Sequence, residues 1–388
     1  MKKCESKICL MSSIPITLWS FYRSLPLRLS EENIEVHICS SAGPELKMFR
    51  DNDGVKTWTV PISRKITPFR DLLSIFKLIG IFRHQRFDIV HAHTPKAGLL
   101  GMIAAKLAGV ENRIYTCHGL PLETEKGFKR KLLTWAEKLS CYCATQVLVV
   151  SNSLLEQLEG YGICHKPKME MLCDGTACGV DLERFSRTAC LAKKSFDVRR
   201  KYNIPDNGLV IGFIGRLVPD KGIHLLVQSF CKLYGRYQNI RLLILGAFEP
   251  HRGVLPDETI NHLNNHPGII MVGFSNEIEP YYAVMDILVL PTRREGFPYT
   301  LLEAAAMELP VVATKVTGCI DAVADGKTGL LVIPENVDLL SQAIERLIQS
   351  DQLRDQMGHE ARRRVEKKFT AERLLAAHVQ LYHRLLRI

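Results

Sequence analysis

The stretch Asp286–Thr314, DILVLPTRREGFPYTLLEAAAMELPVVAT, decides the fold. Ile287–Leu290 is a short, wholly apolar run ending at Pro291, the pattern of a strand covered on both faces. A polar loop, Thr292-Arg293-Arg294, follows. Pro298 then opens a helical segment, where its missing N–H costs nothing. Glu295 precedes that helix, and Glu303 lies inside it, about one and a half turns below Pro298. The N–H groups of Tyr299 and Thr300 are expected to point out of the helix N-terminus toward an anion. A second apolar run, Val311–Thr314, completes a strand, helix, strand unit of the kind that builds a parallel sheet.

The same rhythm extends in both directions. Upstream strand candidates are Lys7–Ser13, Ile34–Ser41, Val55–Ile62, Asp88–Thr94, Arg113–His118, Gln146–Ser151 and Lys168–Cys173. From Cys173 to Asn207 the chain turns polar. A second series then runs through Leu209–Ile214, Ile240–Gly246, Ile269–Val272, Ile287–Leu290, Val311–Thr314 and Leu330–Ile333. The expectation is α/β: two tandem, doubly wound, Rossmann-like parallel-sheet domains, residues 1–185 and 205–369, with an interdomain cleft. The closing stretch 370–388 has Leu374, Leu375, His378, Leu381, Leu385 and Leu386 on one helical face and is expected to dock on the first domain. Open parallel sheets bind ligands beyond the carboxyl ends of their strands.

Composition agrees with this reading. At 388 residues, 46% hydrophobic and 24% charged, the chain is too long for one core and too apolar for disorder. Lys and Arg exceed Asp and Glu by 51 − 41 = 10, which favours an anionic partner. The 12 cysteines are scattered without a Cys-x-x-Cys pair, and Cys9, Cys39 and Cys117 sit in strand-like runs as buried thiols do. A zinc site at Cys173 and Cys178 lacks paired ligand spacing. Met1-Lys2-Lys3 before the apolar stretch Ile8–Trp19 has the outline of a leader, but Ser12, Ser13 and Pro15 interrupt it, and it reads as a first strand and loop. Ala97–Val110 is about 14 residues and contains Lys106, short of the roughly 20 needed to cross a bilayer.

Several residue groups carry chemistry. The run VIGFIG ends in Gly215-Arg216-Leu217, and Lys221-Gly222 follows five residues after the Arg, placing two cations at a strand end. His118 closes the run Tyr115-Thr116-Cys117-His118-Gly119. His91 and His93 share a strand face ahead of Thr94-Pro95-Lys96; they read as substrate-edge groups with Lys96 rather than as a metal pair, since no third ligand is evident. The acidic triplet Asp51-Asn52-Asp53 beside Gly54 reads as a solvated turn.

Together these strings resemble the retaining GT-B glycosyltransferases of family 4, across nearly the whole chain. Glu295 and Glu303, with Gly296, Phe297 and the run Glu303-Ala304-Ala305-Ala306, match that family's E-x7-E signature. The resemblance implies that Glu295 contacts the donor sugar and Glu303 the nucleotide ribose, and that Gly215, Arg216, Lys221, Pro298, Tyr299 and Thr300 surround the donor diphosphate. It also implies that His118 reaches the transferred sugar, and that Gly273-Phe274 borders the base. Arg293, His93 and Lys96 complete the expected site. The strings HAHTPKAGLLGM, YTCHGLPLET and REGFPYTLLEAAAMELPVVAT further resemble the branch that assembles bacterial capsular and related surface polysaccharides. Residues 11–17 contain no Gly, unlike the phosphate-approaching first loop of many relatives, and Cys178 stands where an Asn is usual.

The resemblance implies a hexosyltransferase moving a sugar, an N-acetylated hexosamine, from a UDP-sugar to a polyprenyl-diphosphate-linked saccharide, with retention and without metal or other cofactor. Two alternatives keep the fold: a UDP-sugar 2-epimerase, and a non-catalytic sugar-nucleotide-binding scaffold. No nucleic-acid motif is present. Lys126, Lys129, Arg130, Lys131 and Lys138 cluster with Phe128, Leu132, Leu133 and Trp135, while Arg64, Lys65, Arg70, Lys77, Arg83 and Arg86 add charge in the same domain. They imply an anionic membrane surface as partner and a cytoplasmic, peripheral location on the inner face of the cell membrane.

Overall fold

The computed structural model describes residues 6–388 apart from Gly54, Arg64, His251 and Arg252, and only the backbone of Asn52 and Asp53. Met1-Lys2-Lys3 and Arg64 thus lie outside the described residues. The chain divides into two compact units, Met1–Cys178 with Glu372–Ile388, and Gly179–Ala371.

The first unit is built on β1 (Ser6–Met11), β2 (Ile34–Ser40), β3 (Lys56–Thr59), β4 (Ile89–His93), β5 (Asn112–Cys117), β6 (Gln146–Val149) and β7 (Met169–Glu170). They form one seven-stranded sheet, in the order β3-β2-β1-β4-β5-β6-β7, with every pairing parallel. The second unit holds β8 (Leu209–Ile214), β9 (Ile240–Leu245), β10 (Ile269–Gly273), β11 (Ile287–Leu290), β12 (Val311–Thr314) and β13 (Gly329–Val332). Its six-stranded sheet runs β10-β9-β8-β11-β12-β13, again all parallel. In both sheets the chain winds outward from the centre and then reverses, which is the doubly wound pattern. Continuous apolar strands follow from helices on both faces: all of β11 and β12 is buried.

The strands lie where the sequence places them, with two shortened edges. β3 pairs over four residues; β7 pairs over two, between a 3₁₀ turn at Lys166–Lys168 and Cys173, where the chain turns at φ 51°. Three further expectations change. Pro15 starts a helix, Pro15–Tyr22, where a loop was expected. Asp51–Asp53 ends the helix Pro44–Asp53 rather than forming a turn. The polar segment after Cys173 contains the helix Ala189–Lys201, capped by Thr188 Oγ1, which accepts from the Leu191 N–H at 3.2 Å. Only Leu191 and Val198 of that helix are buried, so its apolar period is faint.

The division between units falls at Cys178, ahead of the expected Phe185, because Gly179–Phe185 is anchored in the second unit. Val180 exchanges backbone hydrogen bonds with Phe369 (2.8 Å) and Ala371 (2.9 Å), and Phe185 is buried in that unit's core. The closing helix, Ala371–Leu386, belongs almost entirely to the first unit. Its Leu374, Val379, Leu381 and Tyr382 share a core with Ile8, Leu10, Leu18 and Tyr22. The thiols of Cys9, Cys39 and Cys117 are buried in the first sheet, whereas Cys173 is exposed.

Candidate functional site

In the second sheet the winding reverses between β8 and β11, and the loops leaving these neighbouring strands lock together. After β8 the chain passes Gly215-Arg216-Leu217 into a 3₁₀ turn, Pro219–Lys221, and leaves it through Gly222 at φ 68°. A β-carbon on Gly222 would lie 1.9 Å from the Pro291 carbonyl oxygen, so only glycine lets this turn close on the end of β11. The contact is extended by side chains. The Asp220 carbonyl accepts from the Arg293 N–H (2.9 Å) and from Thr292 Oγ1 (3.1 Å), and the Asp220 carboxylate pairs with Arg294 at 2.9 Å. Lys221 forms an ion pair with Glu295, both mostly covered.

Beyond Glu295, Gly296 and Phe297 lead to the helix Tyr299–Ala306. Pro298 sits one position before the helix rather than in its first turn, and its carbonyl accepts from the Leu301 N–H at 3.2 Å. Gly318, at φ 76°, allows the following segment to approach Gly296: a β-carbon there would be 2.3 Å from the Gly296 oxygen. Phe297 packs on Phe369 with ring centroids 5.3 Å apart, and the Tyr299 hydroxyl donates to the Gly179 carbonyl. Glu303 is buried. The fully buried Tyr282 donates its hydroxyl to Glu303 Oε2 at 2.7 Å, and loss of solvation pushes the Glu303 carboxyl up to about 7 despite that bond and the nearby Arg184.

Two expected site cations have carboxylate partners of their own. Arg216 is half-exposed and lies 3.3 Å from Glu249, and Arg293 grips Glu335 through two bonds of 2.7 and 2.6 Å. Gly273 ends β10 at φ 83° and accepts from the Gly246 N–H at 2.9 Å, leaving Phe274 exposed. The site therefore includes Asp220, Glu249, Tyr282 and Glu335, which were not anticipated. Asp220 alone carried a local signal, between Arg216 and Lys221. The others come from separate elements.

In the first unit His118 follows β5, half-buried, with its Nε2 3.3 Å from His93 Nδ1. His93 is fully buried, so it backs His118 instead of forming a substrate edge. Lys96 is likewise engaged: it pairs with Asp71 and donates to the Lys65 carbonyl at 3.1 Å. His91 bonds Tyr382 Oη through Nδ1 and Thr116 Oγ1 through Nε2, each at 2.6 Å. Burial holds His118 and His378 down at about 4 and pushes His91 and His93 well below the usual range, so all four rings are neutral near pH 7. Among the described residues no group of three or more His, Cys, Asp or Glu is placed to hold a metal ion.

Comparison with known proteins bears on both units. A model described as glycosyl transferases group 1 matches residues 194–364, and one described as glycosyltransferase family 4 matches residues 22–184. A Staphylococcus aureus protein, the capsular polysaccharide biosynthesis glycosyltransferase CapM, is 36% identical over 90% of this chain and 91% of its own length. The Escherichia coli UDP-Gal:α-D-GlcNAc-diphosphoundecaprenol α-1,3-galactosyltransferase is 28% identical over 95% of each. The crystal structure of Anabaena HepE in complex with UDP superimposes with a TM-score of 0.78 at 18% identity, over 98% of this chain and all of that one.

The displaced carboxyl of Glu303 sets a pH dependence. Its folded-state value of about 7 lies above the ordinary 4.5, so its contribution to stability is complete below about pH 4.5 and is lost as pH rises through about 7. The unfolding midpoint of the second unit should therefore fall between about pH 5 and about pH 8 more steeply in the wild type than in Glu303→Gln. Parallel curves would show that Glu303 ionises normally.

Proposed function

This chain belongs to glycosyltransferase family 4, and from that membership we propose that it moves a sugar, an N-acetylated hexosamine, from a UDP-sugar to a polyprenyl-diphosphate-linked saccharide, with retention of configuration, in the synthesis of a bacterial surface polysaccharide such as capsule. The observation that carries the reading is the Lys221–Glu295 pair, fixed where the second sheet reverses and just ahead of the N-terminus of the helix Tyr299–Ala306. The names of the CapM and galactosyltransferase relatives support the pathway and the lipid-linked acceptor.

Glycosyl transfer builds negative charge on the departing diphosphate. Arg216, Lys221 and the amides at Tyr299 and Thr300 oppose that charge from fixed positions, which lowers the barrier without reorganisation at the moment of reaction. An ammonium has three donors, so Lys221 can keep Glu295 and still reach a phosphate oxygen. Glu295 in turn orients the sugar hydroxyls. Tyr282 occupies Glu303 Oε2, leaving Oε1 to accept from the ribose. His118 orients the transferred sugar. The bond from the anomeric carbon to the diphosphate breaks while the acceptor oxygen bonds to the same face, and the acceptor proton passes to a diphosphate oxygen. No side chain forms a covalent intermediate. With fixed cations in these places no divalent metal is required.

Peripheral attachment to an anionic membrane is supported by two helices of the first unit. Gly127–Cys143 exposes Phe128, Leu132 and Trp135 beside Lys126, Lys129, Arg130 and Lys131. Pro68–Gln85 buries Ser74, Leu78 and Phe82 and exposes Phe69, Leu72, Leu73 and Phe76 beside Arg70 and Lys77. No helix among the described residues is long and apolar enough to cross a membrane. We place the enzyme on the inner face of the cell membrane, each near-surface cation contributing about 1 kcal/mol of binding.

Glu295→Gln and Arg216→Ala should each lower turnover by about 100-fold or more in a folded protein, with wild-type turnover unchanged by excess chelator. Near-normal turnover of Glu295→Gln would remove it from the mechanism. In co-sedimentation, wild type should bind anionic vesicles at low salt and release them at high salt, while the variant with Lys126, Lys129, Arg130 and Lys131 changed to Glu should bind several-fold less. Binding that ignores lipid charge and these substitutions would contradict the membrane assignment.

A further inference from the structure

One buried histidine has no part in the transfer steps above. His93 ends β4 and lies between His91 and Tyr22, with ring centroids at 4.1 and 4.4 Å. Its Nδ1 meets His118 Nε2 at 3.3 Å, whereas its Nε2 is buried without a hydrogen-bond partner among the described residues. We propose that His93 is a positioning residue: its Nδ1–H donates to His118 Nε2 and so holds His118 in the tautomer that presents Nδ1–H to the transferred sugar. This rests on the reading of His118 as a sugar-facing group.

Proton counting supports the direction of that bond. Both rings are neutral, so each carries one N–H, and the contact between them uses one hydrogen and one lone pair. If His118 donated, His93 would carry its hydrogen on Nε2, as a buried N–H with no acceptor. An orphaned buried N–H is the rarer and costlier defect, whereas an unused acceptor is better tolerated. The reverse direction places the His93 hydrogen on Nδ1, in the bond, and leaves Nε2 as a bare lone pair.

The surroundings favour the same choice. The Tyr22 hydroxyl is also buried without a partner, so the pocket around His93 already holds an unused donor, and a second N–H would worsen the imbalance. His91 cannot relieve it, because Tyr382 and Thr116 take both of its nitrogens. Phe21 stacks on His118 at 5.7 Å with planes 21° apart, and the Nε2 edge of the ring is the one that meets His93, which leaves Nδ1 as its other nitrogen. Held this way, His118 is a hydrogen-bond donor and not a base, in keeping with a mechanism in which the diphosphate takes the acceptor proton.

The test is nitrogen-15 NMR of histidine-labelled full-length protein at neutral pH, with the His118 signals assigned by their loss in His118→Asn. The wild type should show His118 protonated on Nδ1, and His93→Leu should convert it to a mixture or to the Nε2–H form. In parallel, His93→Leu should lower kcat by about tenfold or more with the KM for the nucleotide sugar unchanged. His93→Asn, whose amide nitrogen sits near the position of Nδ1, should restore both tautomer and turnover. An Nε2–H tautomer in the wild type would overturn the proposal, as would an unaltered Nδ1–H tautomer in His93→Leu. Full activity of His118→Asn would instead remove the sugar-facing role of His118 and leave the tautomer result standing.

Discussion

Only a residue without a side chain can stand at position 222. The Pro291 carbonyl oxygen occupies the place of its β-carbon, and the backbone there is left-handed. That close approach brings the turn after β8 against the end of β11, and the rest of the second unit's site depends on it. Asp220 can then accept from Arg293 and Thr292, Lys221 can reach Glu295, and Glu295 is held just ahead of the helix at Tyr299. A backbone contact, rather than any charged group, sets the register of the charges.

The cations of this site are all paired. Arg216, Lys221, Arg293 and Arg294 meet Glu249, Glu295, Glu335 and Asp220 respectively. These pairs differ in what they cost to rearrange. Arg216 is 43% exposed, and an exposed pair contributes little, so its guanidinium can leave Glu249 cheaply. Lys221 and Glu295 are 20% and 12% exposed, and separating a mostly covered pair leaves both charges poorly solvated. The two pairs thus differ in how readily they separate, the Arg216 pair being the cheaper to break. Glu303 belongs to neither class: burial lifts its carboxyl to about 7, and Tyr282 satisfies one oxygen.

Much of this was legible in the sequence because it rests on local patterns. Strands covered on both faces read as unbroken apolar runs, which located all the strands; the expected runs shorten most at the edges β3 and β7. The spacing from Arg216 to Lys221 and from Glu295 to Glu303 marked the strand-end loops. What escaped has no local periodicity. The helix Ala189–Lys201 buries only Leu191 and Val198, so it resembles a polar linker. Glu249, Glu335 and Tyr282 reach the site from elements distant in sequence, and nothing in their neighbours announces the contact. His93 reads as a substrate-edge group because strand alternation places it with His91 ahead of Lys96, but both faces of β4 are covered, and it is buried.

The stereochemistry of transfer tests the central claim most directly. The protein would be offered a UDP-sugar together with a polyprenyl-diphosphate-linked saccharide, and the new glycosidic linkage read by NMR. The account predicts a product with the same anomeric configuration as the donor, because attack occurs on the face the diphosphate leaves. An inverted linkage, or conversion of the UDP-sugar to its 2-epimer without transfer, would contradict it.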